Sequence, residues 1–233
     1  MKLLFEGTLN NNEQFKVLPL SLDNLNQILA LQEIVIESLE NKDTLQPLTK
    51  EEFQYILEGN GLIIGAFVEE QLIAFRALLV PPIDEEHLGW DLGLAEEDLA
   101  SVIYQEISNV HPVYRGNRLQ QTLAILVMQE LGQDYKDYSY ICCTVAPFNI
   151  PSLKDKFNQG MEITALKEKY GGRVRYVFVK EIAEERDRDW TEVATARMDN
   201  MAAQQALLTE GWRGFQMENR DGEYWVDFGK KAK

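Results

Sequence analysis

Residues Val110–Leu123, VHPVYRGNRLQQTL, hold the chain's densest set of groups suited to binding an anion. Leu119, Leu123, Leu126, Val127 and Leu131 form an apolar stripe with the 3.6-residue period of a helix. The first turn of a helix has four backbone N–H groups without internal partners, and the helix dipole adds partial positive charge there. A phosphate or pyrophosphate docks at such an end. Gly116 permits close backbone approach, Asn117 tolerates the positive φ of a tight turn, and Arg115 and Arg118 add fixed cations. Leu119 and Gln120 open the helix itself. From Ile107 to Gln129 there is no Asp or Glu, where about four are expected from the chain's average. These properties also fit a solvated turn ahead of a buried helix.

The composition narrows the chemistry further. The 233 residues suit one large domain, or an ordinary one with an appendage, and 45% are hydrophobic and 26% charged, as in soluble globular proteins. No apolar run approaches the roughly 20 residues that span a bilayer, and MKLLFEGTLNNN lacks the pattern of a secretory leader. The net charge of -15 argues against nucleic acid and anionic membranes as partners and suits a basic substrate such as an amine. Cys142 and Cys143 are strand neighbours that point to opposite faces, so a disulfide between them is not expected and a reducing, cytoplasmic setting is. Two histidines, His87 and His111, without metal-ligand spacing predict no metal site.

The elements that must position the turn follow from pattern and punctuation. A strand is predicted at Phe15–Leu20, a helix from Leu22 to about Glu40, and a second helix from Thr49 to Glu58 with Thr49 and Glu52 as a capping box. Leu62–Val68 and Leu72–Val80 read as a hairpin, followed by an acidic irregular stretch, Ile83–Leu99. Ala100–Val110 is a strand leading into the turn, and Leu119–Leu131 the helix beyond it. Tyr138–Val145, a helix at Asn149–Gln159 closed by Gly160, and strands at Met161–Leu166 and Val174–Lys180 complete an α/β layer. Glu181–Asp189 is a charged connector. After it come a helix near Asn200–Glu210 and a hairpin around Asp221–Gly222. The division expected is 1–180 for the main domain and 181–233 for an appendage that packs on it or builds a homodimer contact. Asn200–Gly214 repeats the spacing seen from Asn149, with Asn, a small residue three on, and Gly eleven on.

VHPVYRGNRLQQTL resembles the acyl-CoA signature of the GNAT N-acetyltransferases, roughly V-x-P-x-Y-R-G-x-G-x-G/A. Val110, Pro112, Tyr114, Arg115 and Gly116 match it, while Arg118 and Gln120 stand where a glycine and a small residue are usual. Asn149, Ser152 and Gly160 fit the family's next helix, and LKEKYGGRVRYVF, Leu166–Phe178, is similar to a strand pair of one subgroup. The resemblance spans about Phe15–Lys180.

The resemblance implies the GNAT fold, a mixed sheet splayed at the cofactor site with flanking helices. It implies acetyl-CoA as co-substrate, held by Val110, Arg115, Gly116, Asn117, Arg118, Leu119, Gln120 and Asn149, and direct attack by an unidentified amine. Backbone N–H near Val110 would polarise the thioester carbonyl. A base and an acid are then required. Glu106, four residues before Val110 and so on its face of the strand, is the candidate base, with His87 and Asp91 as rivals. The family's usual acid, a Tyr seven residues after Asn149, is replaced by Lys156, which leaves Tyr170 as the candidate. Those departures also allow a GNAT-fold protein that binds acyl-CoA without catalysis, as a sensor or structural subunit.

Overall fold

A computed structural model describes residues 2–134, 138–183 and 190–230. The chain forms two compact units, one of Met1–Pro81 with Ile103–Asp137, the other of Pro82–Val102 with Tyr138–Lys233. Among the described residues no helix is long and apolar enough to cross a membrane.

In the first unit five antiparallel strands follow one another in the order β1 (Phe5–Thr8), β2 (Gln14–Pro19), β3 (Gly61–Val68), β4 (Gln71–Leu79) and β5 (Val102–Val110). Strands β3 and β4 are almost wholly buried, so they read as continuous apolar runs rather than alternating ones. Helices α1 (Leu25–Glu37) and α2 (Lys50–Leu57) cover one face, where Ile28, Phe53, Ile56, Phe75 and Ile107 meet in one core. Helix α3 (Leu119–Asp134) packs on β3 and β4 from the other face.

The connection between α1 and α2 is held by a buried clamp. Gln32 donates through Nε2 to the Leu48 carbonyl at 2.8 Å and accepts from the Leu48 N–H at 2.9 Å. The predicted capping box follows at once: Thr49 Oγ1 accepts from the Glu52 N–H at 3.2 Å, and the Glu52 carboxylate from the Thr49 N–H at 2.6 Å.

The second unit is also an antiparallel sheet. It contains β6 (Tyr140–Val145), α4 (Ile150–Asn158), β7 (Glu162–Lys169), β8 (Arg173–Glu181), β9 (Glu192–Arg197), α5 (Met201–Thr209), β10 (Arg213–Arg220) and β11 (Glu223–Lys230). Its strands lie in the order β6-β8-β7-β10-β11-β9. Asn149 and Asn200 cap α4 and α5, each accepting from the N–H three residues on at 3.2 Å. Fully buried Gln204 of α5 accepts from the Tyr176 hydroxyl at 2.8 Å and donates to the carbonyls of Arg197 and Met198.

The α/β class and the order of helices agree with the sequence pattern, but two strands were not foreseen. Phe5–Thr8 and Glu192–Arg197 are short edge strands with mostly exposed side chains, so neither carries the apolar alternation by which strands are found. Strand β5 starts at Val102 rather than Ala100, because Glu96–Ser101 winds into a 3-10 turn. Of the charged connector, residues 184–189 lie outside the described residues. Replacing Gln32 with Leu leaves both polar groups of Leu48 without their buried partner. The expected cost is about 2–3 kcal/mol in urea unfolding, whereas the exposed Gln27→Leu change should cost little.

Candidate active site

Strand β5 ends at Val110, and the chain turns through a short 3-10 segment, Pro112–Tyr114, before α3. His111 caps that segment, its Nδ1 accepting from the Val113 N–H at 3.3 Å. Arg115 then donates to the Ser38 hydroxyl at the end of α1, at 2.8 Å. Helix α3 closes its first bond from the Thr122 N–H to the Arg118 carbonyl at 2.9 Å.

The six consecutive amides of residues 116–121 have no hydrogen-bond partner among the described residues. A row of unpaired N–H groups at the start of a 16-residue helix is a strong anion cradle. Its shape depends on two left-handed residues, Gly116 at φ 81° and Arg118 at φ 59°. Asn117, whose type tolerates a positive φ, does not adopt one; its side chain instead ties the turn down. Asn117 Oδ1 accepts from the Asn10 N–H at 2.8 Å, and Nδ2 donates to the Tyr114 carbonyl at 3.0 Å. A residue fixed at both ends of its side chain is a staple, and the next residue absorbs the sharp turn.

Arg118 therefore stands in the backbone conformation that a glycine would adopt most easily, at a cost of roughly 1–2 kcal/mol. Its side chain is exposed and makes no hydrogen bond or ion pair among the described residues. Gly116 is needed for its φ and not for space, since nothing lies within 4 Å of the position its Cβ would take.

Beneath the cradle lies a residue that sequence reasoning passed over. Arg76, on β4, is 1% exposed. It donates to Gln105 Oε1 at 2.7 Å and to the Gln120 carbonyl at 3.3 Å. The signal was present as the single charge in the apolar run LIAFRALL. Asn109 was missed as well: it is 1% exposed, and its amide has no partner among the described residues.

Glu106 sits at a β-bulge. The register of β4 with β5 passes from Ala77↔Ile107 to Leu78↔Gln105, which leaves Glu106 without an opposite residue. Gln105 turns to Arg76 on the α3 side, while Ile107 lies in the core under α1 and α2. The two-residue alternation that grouped Glu106 with Val110 is therefore broken between them. Burial first, and then Glu52 of α2, push the Glu106 carboxyl up to about 7.

The remaining candidates belong to the second unit. His87 is buried, accepts from the Gly89 N–H at 3.1 Å, and is held below its ordinary range by desolvation. Asp91 is ion-paired with Lys167 and, at 3.2 Å, with Lys169. Tyr170 is 46% exposed in the Tyr-Gly-Gly turn at φ 51°, its hydroxyl accepting from Thr144 Oγ1 at 3.2 Å. Asn149 serves as the helix cap already described, and Lys156 is buried beside Asp155 at 3.2 Å. Burial pushes the thiol of Cys142 well up, which removes it as a thiolate nucleophile. Among the described residues no group of three His, Cys, Asp or Glu side chains is placed to hold a metal ion.

Glu106 ties stability to pH. A carboxyl held above its ordinary range keeps its proton in the folded protein after the unfolded chain has lost it. Its contribution is thus full below about pH 4.5 and declines as pH rises to about 7. Glu106→Gln should flatten that decline in denaturant titrations at pH 4.5 and 7.5, and an unchanged slope would place the carboxyl in water.

The sequence matches no protein-family model and no curated protein. Solved structures do match. An N-acetyltransferase from Staphylococcus aureus Mu50 superposes with a TM-score of 0.55 at 14% identity, over 72% of this chain and 98% of its own. Arabidopsis thaliana NAA60 in complex with acetyl-CoA gives 0.57 at 14% identity, over 73% and 99%. An acetyltransferase of the GNAT family from Streptococcus pneumoniae gives 0.52 at 14%, over 72% and 99%. The fold of this chain is the fold of the GNAT N-acetyltransferases.

Proposed function

We propose that this protein is an acetyl-CoA-dependent N-acetyltransferase of a soluble, reducing compartment such as the cytoplasm, acting on an amine. The observation that carries the reading is the row of unpaired amides at residues 116–121 within an acid-free stretch of an otherwise acidic chain. Those amides receive the cofactor pyrophosphate, with Arg115 and Arg118 adding charge. Arg118 keeps the backbone turn that the family motif makes with glycine, so this departure from the motif does not remove the cradle.

Acetyl-CoA supplies an acetyl group activated as a thioester. The Val110 N–H donates to the carbonyl oxygen on which negative charge develops. Glu106, poised near neutrality, takes the proton that the attacking nitrogen must lose. Tyr170 protonates the departing thiolate, and Asn149 orients the cofactor. A second reading, acyl-CoA binding without turnover, is favoured by Lys156 in the place of the family's acid and by the Tyr170 hydroxyl's bond to Thr144.

Calorimetric titration with acetyl-CoA should show binding, and Arg115→Glu should weaken it at least tenfold. Unchanged affinity in that variant would contradict the pyrophosphate assignment, and no binding by the unaltered protein would overturn both readings. Thiol release from acetyl-CoA across a panel of primary amines separates the two. Turnover that rises through pH 7 and falls about a hundredfold in Glu106→Gln supports the enzyme. Binding without release from any amine supports the non-catalytic protein.

A further inference from the structure

We infer that residues 191–230 are a second copy of the β-α-β-β module at 140–181, and that this copy fills in cis the strand edge of β7 that a second protein copy would otherwise occupy. The inference does not depend on the reaction proposed above. Asn149, Gly160 and Glu162 have their counterparts in Asn200, Gly211 and Arg213, a constant shift of 51 residues. The two capping asparagines share backbone angles of −84°, 70° and −87°, 72°. Both helices are 9 residues long and end in a glycine of positive φ. The hairpin turns also correspond, Tyr170 at φ 51° to Asp221 at φ 53°; the second turn is one residue shorter, so the shift is 50 beyond it.

Strand register repeats with the same shifts. Cys143↔Phe178 becomes Ala194↔Phe228, and Lys167↔Arg175 becomes Glu218↔Trp225. The bulge that skips Thr164 in β7 recurs at Phe215 in β10. Chance resemblance between two capped helices does not reproduce register and bulge across three strands.

The strand order β6-β8-β7-β10-β11-β9 reads the same from either end under this correspondence. Its midpoint is the β7–β10 seam, whose register pair is Ile163↔Gly214. These two residues are themselves equivalent. An equivalent pair meeting in antiparallel strands is what a two-fold axis through that point requires, as in an isologous dimer interface. Here the axis is approximate, because one residue is Ile and the other Gly. A Cβ on Gly214 would lie 3.1 Å from the Ile163 Cβ, so two bulky residues cannot both stand at the axis.

Two single variants of the full chain, Gly214→Ile and Ile163→Gly, and two double variants test this. Gly214→Ile should lower the melting temperature by about 5 °C, through overpacking at the seam. Exchanging the pair, Ile163→Gly with Gly214→Ile, should recover at least half of that loss, because the axis makes the positions interchangeable. A double variant no more stable than the sum of the single changes would overturn the axis. Cysteines at both positions, Ile163→Cys and Gly214→Cys, keep the test open should the first variant fail to fold. Oxidation should then give a cross-linked monomer on non-reducing gels, and a covalent dimer instead would overturn closure in cis.

Discussion

A buried guanidinium organises the first unit. Arg76 lies inside the sheet at a position where an ion is tolerated only if its donors are used. It reaches in two directions: to Gln105, beside the bulge of β5, and to the Gln120 carbonyl in the first turn of α3. The bulge that re-aims Glu106 and the helix start that presents free amides are thus tied to one side chain. Its charge also lies under the cradle, where a low-dielectric surrounding screens it weakly.

The cradle needs that support because it is made of groups that would rather be paired. Unsatisfied amides destabilise a turn unless water or a ligand meets them, and Arg118 adds backbone strain. The Asn117 staple to Asn10 and the Arg115 bond to Ser38 tie the loop to the β1–β2 turn and to the end of α1. Stability is spent at this turn and recovered in the core of β3, β4, α1 and α2.

Much of this was readable beforehand, for reasons that differ by element. The Thr49–Glu52 box, the β3–β4 hairpin and the Asn149–Gly160 helix are local features, written in residues a few positions apart. The anion turn was readable in the same way, from Gly116, two arginines and a missing set of carboxylates. What escaped was set by distant partners. Asn117 is by type the better left-handed residue, but its contacts with Asn10 and Tyr114 gave that conformation to Arg118. The Glu106 bulge has no signature in a strand of alternating residues, since only the register with β4 reveals it. Arg76 and Asn109 stood in plain view as polar residues in apolar runs, yet their neighbours could not be named from spacing.

The repeated module has a kinetic side. Two segments with the same register offer each strand a wrong twin: β8 can be met by β9 as well as β6, and β11 by β6 as well as β9. Such near-degenerate pairings are the source of swapped and misassembled states in repeat proteins. The copies have diverged where a swap would matter most. Tyr176, bonded to Gln204, stands where the second copy has Val226, and Trp190 lies over Gly229, where the first copy has Val179. A mispaired strand would leave the Tyr176 hydroxyl unsatisfied or drive a valine into Trp190. Divergence between the halves thus separates the native pairing in energy from its nearest alternative.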